Sequence, residues 1–242
     1  MDFKSGFVAV IGRPNVGKST IVNEFMGQKL TITSPKPQTT RHRIHAIDTT
    51  KNHQIVFVDT PGIHISRKKA INSYMNRAAS SSLKDVDVIL WLVEAGLWTK
   101  EDDRVLEHVS SLDCPVILVI NKIDKLKHPD MLLPYLQDMS FKYNADEVYP
   151  LSAFKKNDVS RLKSMVLKYL PAQSMIFDPD FITDRSEKFI VAEFIREKLM
   201  RHLLMNCPMI LRLKLRSMSL MANFKELAQR FLLIRLRRKI LS

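Results

Sequence analysis

The stretch "GRPNVGKS", Gly12 to Ser19, constrains this chain more than any other. It has the spacing G-x-x-x-x-G-K-[ST], which works only where a strand runs into a loop and the loop into a helix. Both neighbours are present: the apolar run "FVAVIG" leads in and the helix-like "KSTIVNEFM" follows. Glycines let the backbone curl until successive N–H groups converge, and a helix starting near Gly17 adds the positive end of its dipole. Gly12, Arg13, Pro14, Asn15, Val16, Gly17, Lys18, Ser19 and Thr20 therefore form a candidate cradle for a phosphate chain. Lys18 reaches the β- and γ-phosphates, and the Ser19 hydroxyl is placed for Mg2+.

Such a loop needs a sheet to stand on. "HRIHAID" and "HQIVFVD" read as neighbouring strands. "DVDVILWLVEA" and "CPVILVIN" are unbroken apolar runs, expected of strands buried on both faces. Between them "TKEDDRVLEHVSSL" opens with Thr99 and carries Asp102 three residues on, a capped helix start. Strand and helix patterns alternate to about Leu170, which predicts an α/β domain over 1–170 with a mostly parallel sheet.

Two more polar segments follow predicted strands. Asp59, Thr60, Pro61 and Gly62 come after "IVFV"; an acid there holds Mg2+ through its water shell, and Gly62 lets a backbone N–H approach the γ-phosphate. Asn121, Lys122, Ile123 and Asp124 come after "VILVI". A carboxylate that accepts two hydrogen bonds suits the N1–H and exocyclic amine of guanine, a donor pair that adenine lacks. Asp124 then selects the base, Asn121 braces the loop, and the stem of Lys122 covers the ring. Ser152 and Ala153, in "LSA", supply a backbone N–H to the base oxygen. The four segments in this order describe a guanine-nucleotide site.

Beyond Leu170, 171–184 holds two prolines and no clear period and reads as a linker. "DRSEKFIVAEFIREKLMRHL" then places Phe189, Ile190, Phe194, Ile195 and Leu199 at helical spacing, with Asp184 and Glu187 as a capping pair. It is the first helix of a second domain, or a helix packing back on the first. Two distant cysteines argue against a disulfide framework or a zinc site. No signal-peptide pattern and no membrane-length apolar run occur, so a soluble, cytoplasmic protein is expected; a monomer is expected separately. Of the +13 net charge, +8 falls on 204–242, where nine Lys/Arg face one acid. His42, His45 and His64 are read as solvated loop residues. Glu101, Asp102 and Asp103 are read as an acidic first turn.

"PKPQTTRHRI", "DTPGIHISRKKAINSYMNRAASSSLKDVD" and "ITDRSEKFIVAEFIREKLMRHL" together resemble the Era-type GTPases from about Phe7 to Leu203. The resemblance implies a P-loop GTPase domain followed by an α+β KH-like RNA-binding domain, here incomplete. It implies GTP hydrolysis to GDP and phosphate, a role in assembling the small ribosomal subunit, and 16S rRNA and the 30S subunit as partners. Lys18, Thr40 and Gly62 carry over as catalytic residues. Ser19, Thr40 and Asp59 carry over as the Mg2+ set, and Asn15 as a ligand for K+ beside the phosphates. Thr39 lies in the same switch. Ile63 stands where Ras-like enzymes carry a water-orienting glutamine, so hydrolysis by the chain alone is expected to be slow.

The resemblance stops inside "MRHLLMNCPMI". Era-type chains continue there with an acidic-Leu-Pro-Tyr turn, an alternating strand and a G-x-x-G loop that clamps RNA. The last of the six glycines here is Gly96. Written as ATG-AAC-TGC-CCT-ATG-ATC after a leucine codon ending in G, "MNCPMI" regroups one base earlier to Asp-Glu-Leu-Pro-Tyr-Asp. We therefore read 185–203 as the first KH-like helix and 204–242 as an aberrant basic tail produced by a frameshift. The alternative is a genuine divergent tail, with Phe224, Leu227, Phe231 and Ile234 as the stripe of a basic amphipathic helix at the inner membrane face. A GTPase uncoupled from RNA is the corresponding functional alternative.

Overall fold

The computed structural model describes residues 2–30, 44–59 and 86–202. Thr39, Thr40, His42, Thr60, Pro61, Gly62, Ile63, His64 and the basic tail lie outside them. Residues 1–186 form one compact unit, and a second begins at Glu187.

In the first unit β1 (Lys4–Ile11) leads into α1 (Lys18–Met26), followed by β2 (Ile44–Thr49), β3 (His53–Asp59) and β4 (Val88–Glu94). Then come α2 (Lys100–Val109), β5 (Val116–Asn121), short 3-10 turns at Ile123–Lys125 and Pro129–Met131, α3 (Leu132–Lys142), β6 (Glu147–Pro150) and α4 (Lys156–Tyr169). The strand order is β2-β3-β1-β4-β5-β6. Every pairing is parallel except β2 with β3, whose connection is a tight hairpin. β1 runs between β3 and β4, so the order of the parallel strands reverses at its carboxyl end. That is where an open α/β sheet leaves a crevice for a ligand.

Alternation along the strands splits the core into two layers. Val8 and Val10 face one side with Phe57, Leu90 and Leu92, and pack with Ile21, Val22 and Phe25 of α1 and Val159, Leu162 and Val166 of α4. Ala9 and Ile11 face the other with Ile89, Trp91 and Val93, and pack with Val105 and Val109 of α2 and Met139 of α3. Phe25 stacks on Phe57 with ring centroids 4.6 Å apart, which pins the helix that leaves the phosphate loop. Each of these fully buried aliphatic or aromatic side chains contributes about 2 kcal/mol of transfer free energy.

The segment read as a linker is strapped to this unit. Gln173 donates its backbone N–H to the Phe3 carbonyl at 3.1 Å, and the Ser5 hydroxyl donates to the Ser174 carbonyl at 2.6 Å. Ile47 of β2 donates to the Ile182 carbonyl at 3.0 Å, and Ala46 bridges Thr183. The anchor is Gln54, which is fully buried. Its Oε1 accepts the N–H groups of Ile176 and Phe177 at 2.7 and 2.8 Å, and its Nε2 donates to the Phe177 carbonyl at 2.8 Å. Gln54→Leu should lower stability by about 2 kcal/mol, because three backbone groups lose a buried partner while water can still reach the exposed strap. It should also open residues 174–178 to proteolysis. A urea melt and limited chymotrypsin digestion, which can cut after Phe177, check both, and an unchanged melt with unchanged cleavage would show that the strap is held elsewhere.

α5 (Glu187–His202) is the described part of the second unit. Asp184 Oδ1 accepts the His45 N–H of β2 at 2.9 Å. His45 is no solvated loop residue. It sits on β2 between the rings of Phe7 and Phe177, with Nδ1 3.6 Å from Asp184 Oδ2.

Candidate functional site

The loop after β1 is shaped by backbone conformations that favour glycine. Gly12 has φ 141° and Gly17 φ 109°. A side chain at Gly12 would strike the Leu92 carbonyl, and one at Gly17 would strike the Asn121 amide. Two non-glycine residues among those described have positive φ, Asn15 at 65° and Lys122 at 66°, and both lie in the candidate nucleotide loops. Such conformations cluster where a backbone is held for a ligand. α1 starts at Lys18 behind Gly17 with no side-chain cap, so its first-turn N–H groups are not claimed by a capping residue. A concave, uncapped, positively polarised loop suits an anion, and the cradle fits a phosphate chain.

Lys18 is buried, and its Nζ donates to the carbonyls of Gly12 at 2.8 Å and Arg13 at 2.9 Å. The ammonium is thus centred over the loop. Ser19 sits one residue on, at the head of α1. The backbone of Asp59 ends β3 in register with Val10, so the acid-bearing strand end lies beside the one that feeds the loop. A hydroxyl in the first turn of α1 and an acid at the end of β3 are hard oxygen donors of the kind Mg2+ takes.

The base loop is tied to the phosphate loop by one side chain. Asn121 is almost fully buried; its Nδ2 donates to the Val16 carbonyl at 2.7 Å. Its Oδ1 accepts the N–H of Lys122 at 2.8 Å and of Ala153 at 3.1 Å. Three loops therefore meet on one amide. The Leu151 carbonyl accepts the Ile123 N–H at 3.4 Å, and the Ser152 N–H donates to Asp158 Oδ2 at 3.2 Å, which sets the "LSA" turn against the same corner. Asp124 stands exposed on the 3-10 turn.

Arg13 is placed differently from the rest of the cradle. Its Nε lies 3.1 Å from Asp102 Oδ2 and its Nη2 2.9 Å from Glu94 Oε2, so the guanidinium is held by two carboxylates. Only its backbone remains to line the loop. Asp102 is fully buried and also accepts the N–H and hydroxyl of Thr99 at 2.9 and 2.8 Å. The capped start and acidic first turn read from the sequence are both present in α2; the Arg13 pair is the part of Asp102's role that the sequence did not show. Lys122 Nζ reaches the same Glu94 oxygen at 2.9 Å. Burial works against the charge on Glu94, but hydrogen bonds and attraction from Lys122 and Arg13 outweigh it and hold the carboxyl below its ordinary value. Tyr135, whose hydroxyl donates to the Glu94 carbonyl at 3.1 Å, is pushed up to about 12, first by burial and then by Asp102. Glu94 was overlooked in the sequence, although it ends a buried apolar strand as Asp59 and Asn121 do.

A mostly parallel sheet with a phosphate loop after β1 and a base loop after β5 defines a P-loop GTPase domain. The model of the 50S ribosome-binding GTPase family matches residues 7–122. GTPase Era of Yersinia pestis (strain Pestoides F) is 52% identical over 198 residues, covering 82% of this chain and 65% of that protein. Era solved in complex with MgGDPNP and nucleotides 1506–1542 of 16S ribosomal RNA superposes with a TM-score of 0.81 at 38% identity, over 85% of this chain and 70% of that one. A variant of Aquifex aeolicus Era bound to GDP.AlF4- gives 0.80 with the same identity and coverage. The chain belongs to the Era family of GTPases, and it spans about 65% of the length of the curated relatives it matches.

Proposed function

We propose that this chain binds GTP and GDP and hydrolyses GTP to GDP and phosphate. The observation that carries the reading is the joint anchoring of phosphate loop, base loop and "LSA" turn on Asn121, which builds one crevice from three strand ends. In it, Gly12 to Thr20 wrap the phosphates, Lys18 bears on their outer charges, and Asp124 accepts from guanine beneath Lys122 and Ala153. Ser19, Thr40 and Asp59 are the residues for Mg2+, which when bound neutralises charge between the β- and γ-phosphates. Thr60, Pro61 and Gly62 complete the γ-phosphate side. Asn15, held at positive φ on the rim, is proposed as the ligand of a K+ ion that supplies charge where an arginine finger otherwise acts. Hydrolysis is accordingly expected to run several-fold faster in potassium than in sodium, with Asn15→Ala removing most of the difference and leaving GDP binding nearly intact. Phosphate release in matched KCl and NaCl tests it; equal rates in a chain that binds GTP well would remove the potassium site.

The Era structure solved with a 16S ribosomal RNA fragment supports a role with the RNA of the small subunit; a cytoplasmic monomer that helps to mature that subunit is proposed with it. RNA binding by these 242 residues is proposed to be impaired, because no glycine follows Gly96 and a G-x-x-G clamp cannot be formed from 204–242. On this reading 185–203 is the entry to a KH-like domain and the basic tail a frameshift product, uncoupling GTP turnover from RNA. Sequencing the gene around codon 204 tests the origin: codons that give no Era-like strand in the neighbouring frame would leave the tail genuine. Sedimentation with 30S particles or with anionic liposomes separates RNA contact from peripheral membrane contact.

A further inference from the structure

We propose that Glu94 is a positioning residue that sets guanine-nucleotide affinity by locking the phosphate loop to the base loop; this rests on the guanine-nucleotide site proposed above. β4 lies between β1 and β5, so a side chain leaving its carboxyl end stands between the two loops that those strands feed. Glu94 uses that place fully. One oxygen, Oε2, meets Arg13 Nη2 of the phosphate loop and Lys122 Nζ of the base loop, each at 2.9 Å. Its own position is fixed from three sides. Tyr135 donates to its carbonyl, the Ala95 N–H donates to the Asn121 carbonyl at 2.8 Å, and β4 pairs Glu94 with Asn121 in register.

An ordinary surface ion pair joins two groups and adds little. Here one carboxylate separates two cations that would otherwise repel, and each cation belongs to a different half of the same crevice. Lys122 matters most. A free lysine carries rotamer entropy, which an incoming base would have to remove before the stem could lie over it. With its ammonium already on Glu94, the stem is ordered in advance, and that ordering no longer opposes binding. Arg13 is fixed from its other edge by Asp102, so the chain of alternating charge Asp102–Arg13–Glu94–Lys122 runs from the start of α2 to the base loop. Asn121 braces the loops through neutral hydrogen bonds, and Glu94 adds the charged brace on the side where the lysine stem must lie.

The test uses the full 242-residue chain, equilibrium binding of a fluorescent GDP analogue, and a double-mutant cycle. Glu94→Gln keeps size and removes charge; GDP should bind about tenfold more weakly, chiefly through faster release. Lys122→Met keeps an apolar stem and removes the ammonium. In that background Glu94→Gln should change GDP affinity less than twofold, because the cation it positions is gone. A merely structural Glu94 would weaken binding equally in both backgrounds, and that additivity would overturn the proposal. If Glu94→Gln fails to fold, Glu94→Asp carries the same cycle, since one methylene less prevents the carboxylate from reaching both cations; affinity equal to the parent chain would overturn it. A parent chain that does not bind the analogue overturns the guanine-nucleotide site itself, and this proposal with it. Normal parent binding with an unaffected Glu94→Gln overturns the positioning role alone.

Discussion

Asp124→Asn should move the preference of this chain from guanosine to xanthosine nucleotides. Asp124 rides the Ile123–Lys125 turn, exposed, while Lys122 behind it is locked at φ 66° and hydrogen-bonded to Asn121. The backbone that carries the carboxylate is therefore held in place, and in the proposed site its oxygens accept from N1–H and the exocyclic amine of guanine. An amide in its place accepts from one donor and turns its own N–H toward the other. Two hydrogen bonds to a charged acceptor are exchanged for one to a neutral acceptor and a donor–donor clash, so GDP affinity should fall at least about 100-fold. Xanthine presents an oxygen where guanine has its amine, and XDP affinity should rise correspondingly. Competition of GDP and XDP against a fluorescent nucleotide measures the ratio directly. A ratio that stays with GDP would place Asp124 outside the base site.

Asp102→Ala should cost about 3 kcal/mol of folding stability, the largest loss expected from a single charged residue here. The carboxylate is fully buried, pairs with Arg13, and holds both the N–H and the hydroxyl of Thr99 at the start of α2. Its removal leaves a half-partnered guanidinium in a site nearly closed to water and strips a helix cap whose loss alone typically costs about 1 kcal/mol. Glu94 still faces Arg13, which keeps the cost below that of a fully orphaned charge. For a domain of this size the melting temperature should drop by roughly 5–10 °C. Asp102→Asn, which keeps the shape and one acceptor, should lose about half as much. Urea unfolding of the three proteins decides it, and equal stability of parent and Ala variant would mean that the Arg13 pair contributes nothing.

The sequence by itself determined the features whose causes lie within a few residues of one another. The phosphate loop, the unbroken apolar strands β4 and β5, the Thr99 and Asp102 start of α2 and the polar segments at strand ends are all local patterns, and they define the class and most candidate site residues. Period and spacing also predicted the parallel sheet, because runs that are apolar on both faces can be buried only between layers of helix. They carried no information about which distant groups would meet. Arg13 looked like one more member of the cradle until folding brought Asp102 and Glu94, 89 and 81 residues away, onto its guanidinium. Gln54 read as one polar residue in a strand, and 171–184 as a linker, because their bonds span more than 120 residues. Only the strand order β3-β1-β4-β5 decided those partners: it sets β4 between the two nucleotide loops and brings the strap across β1 and β3. A buried polar group must be satisfied wherever the fold puts it, and no local pattern in a sequence says which neighbour the sheet will supply.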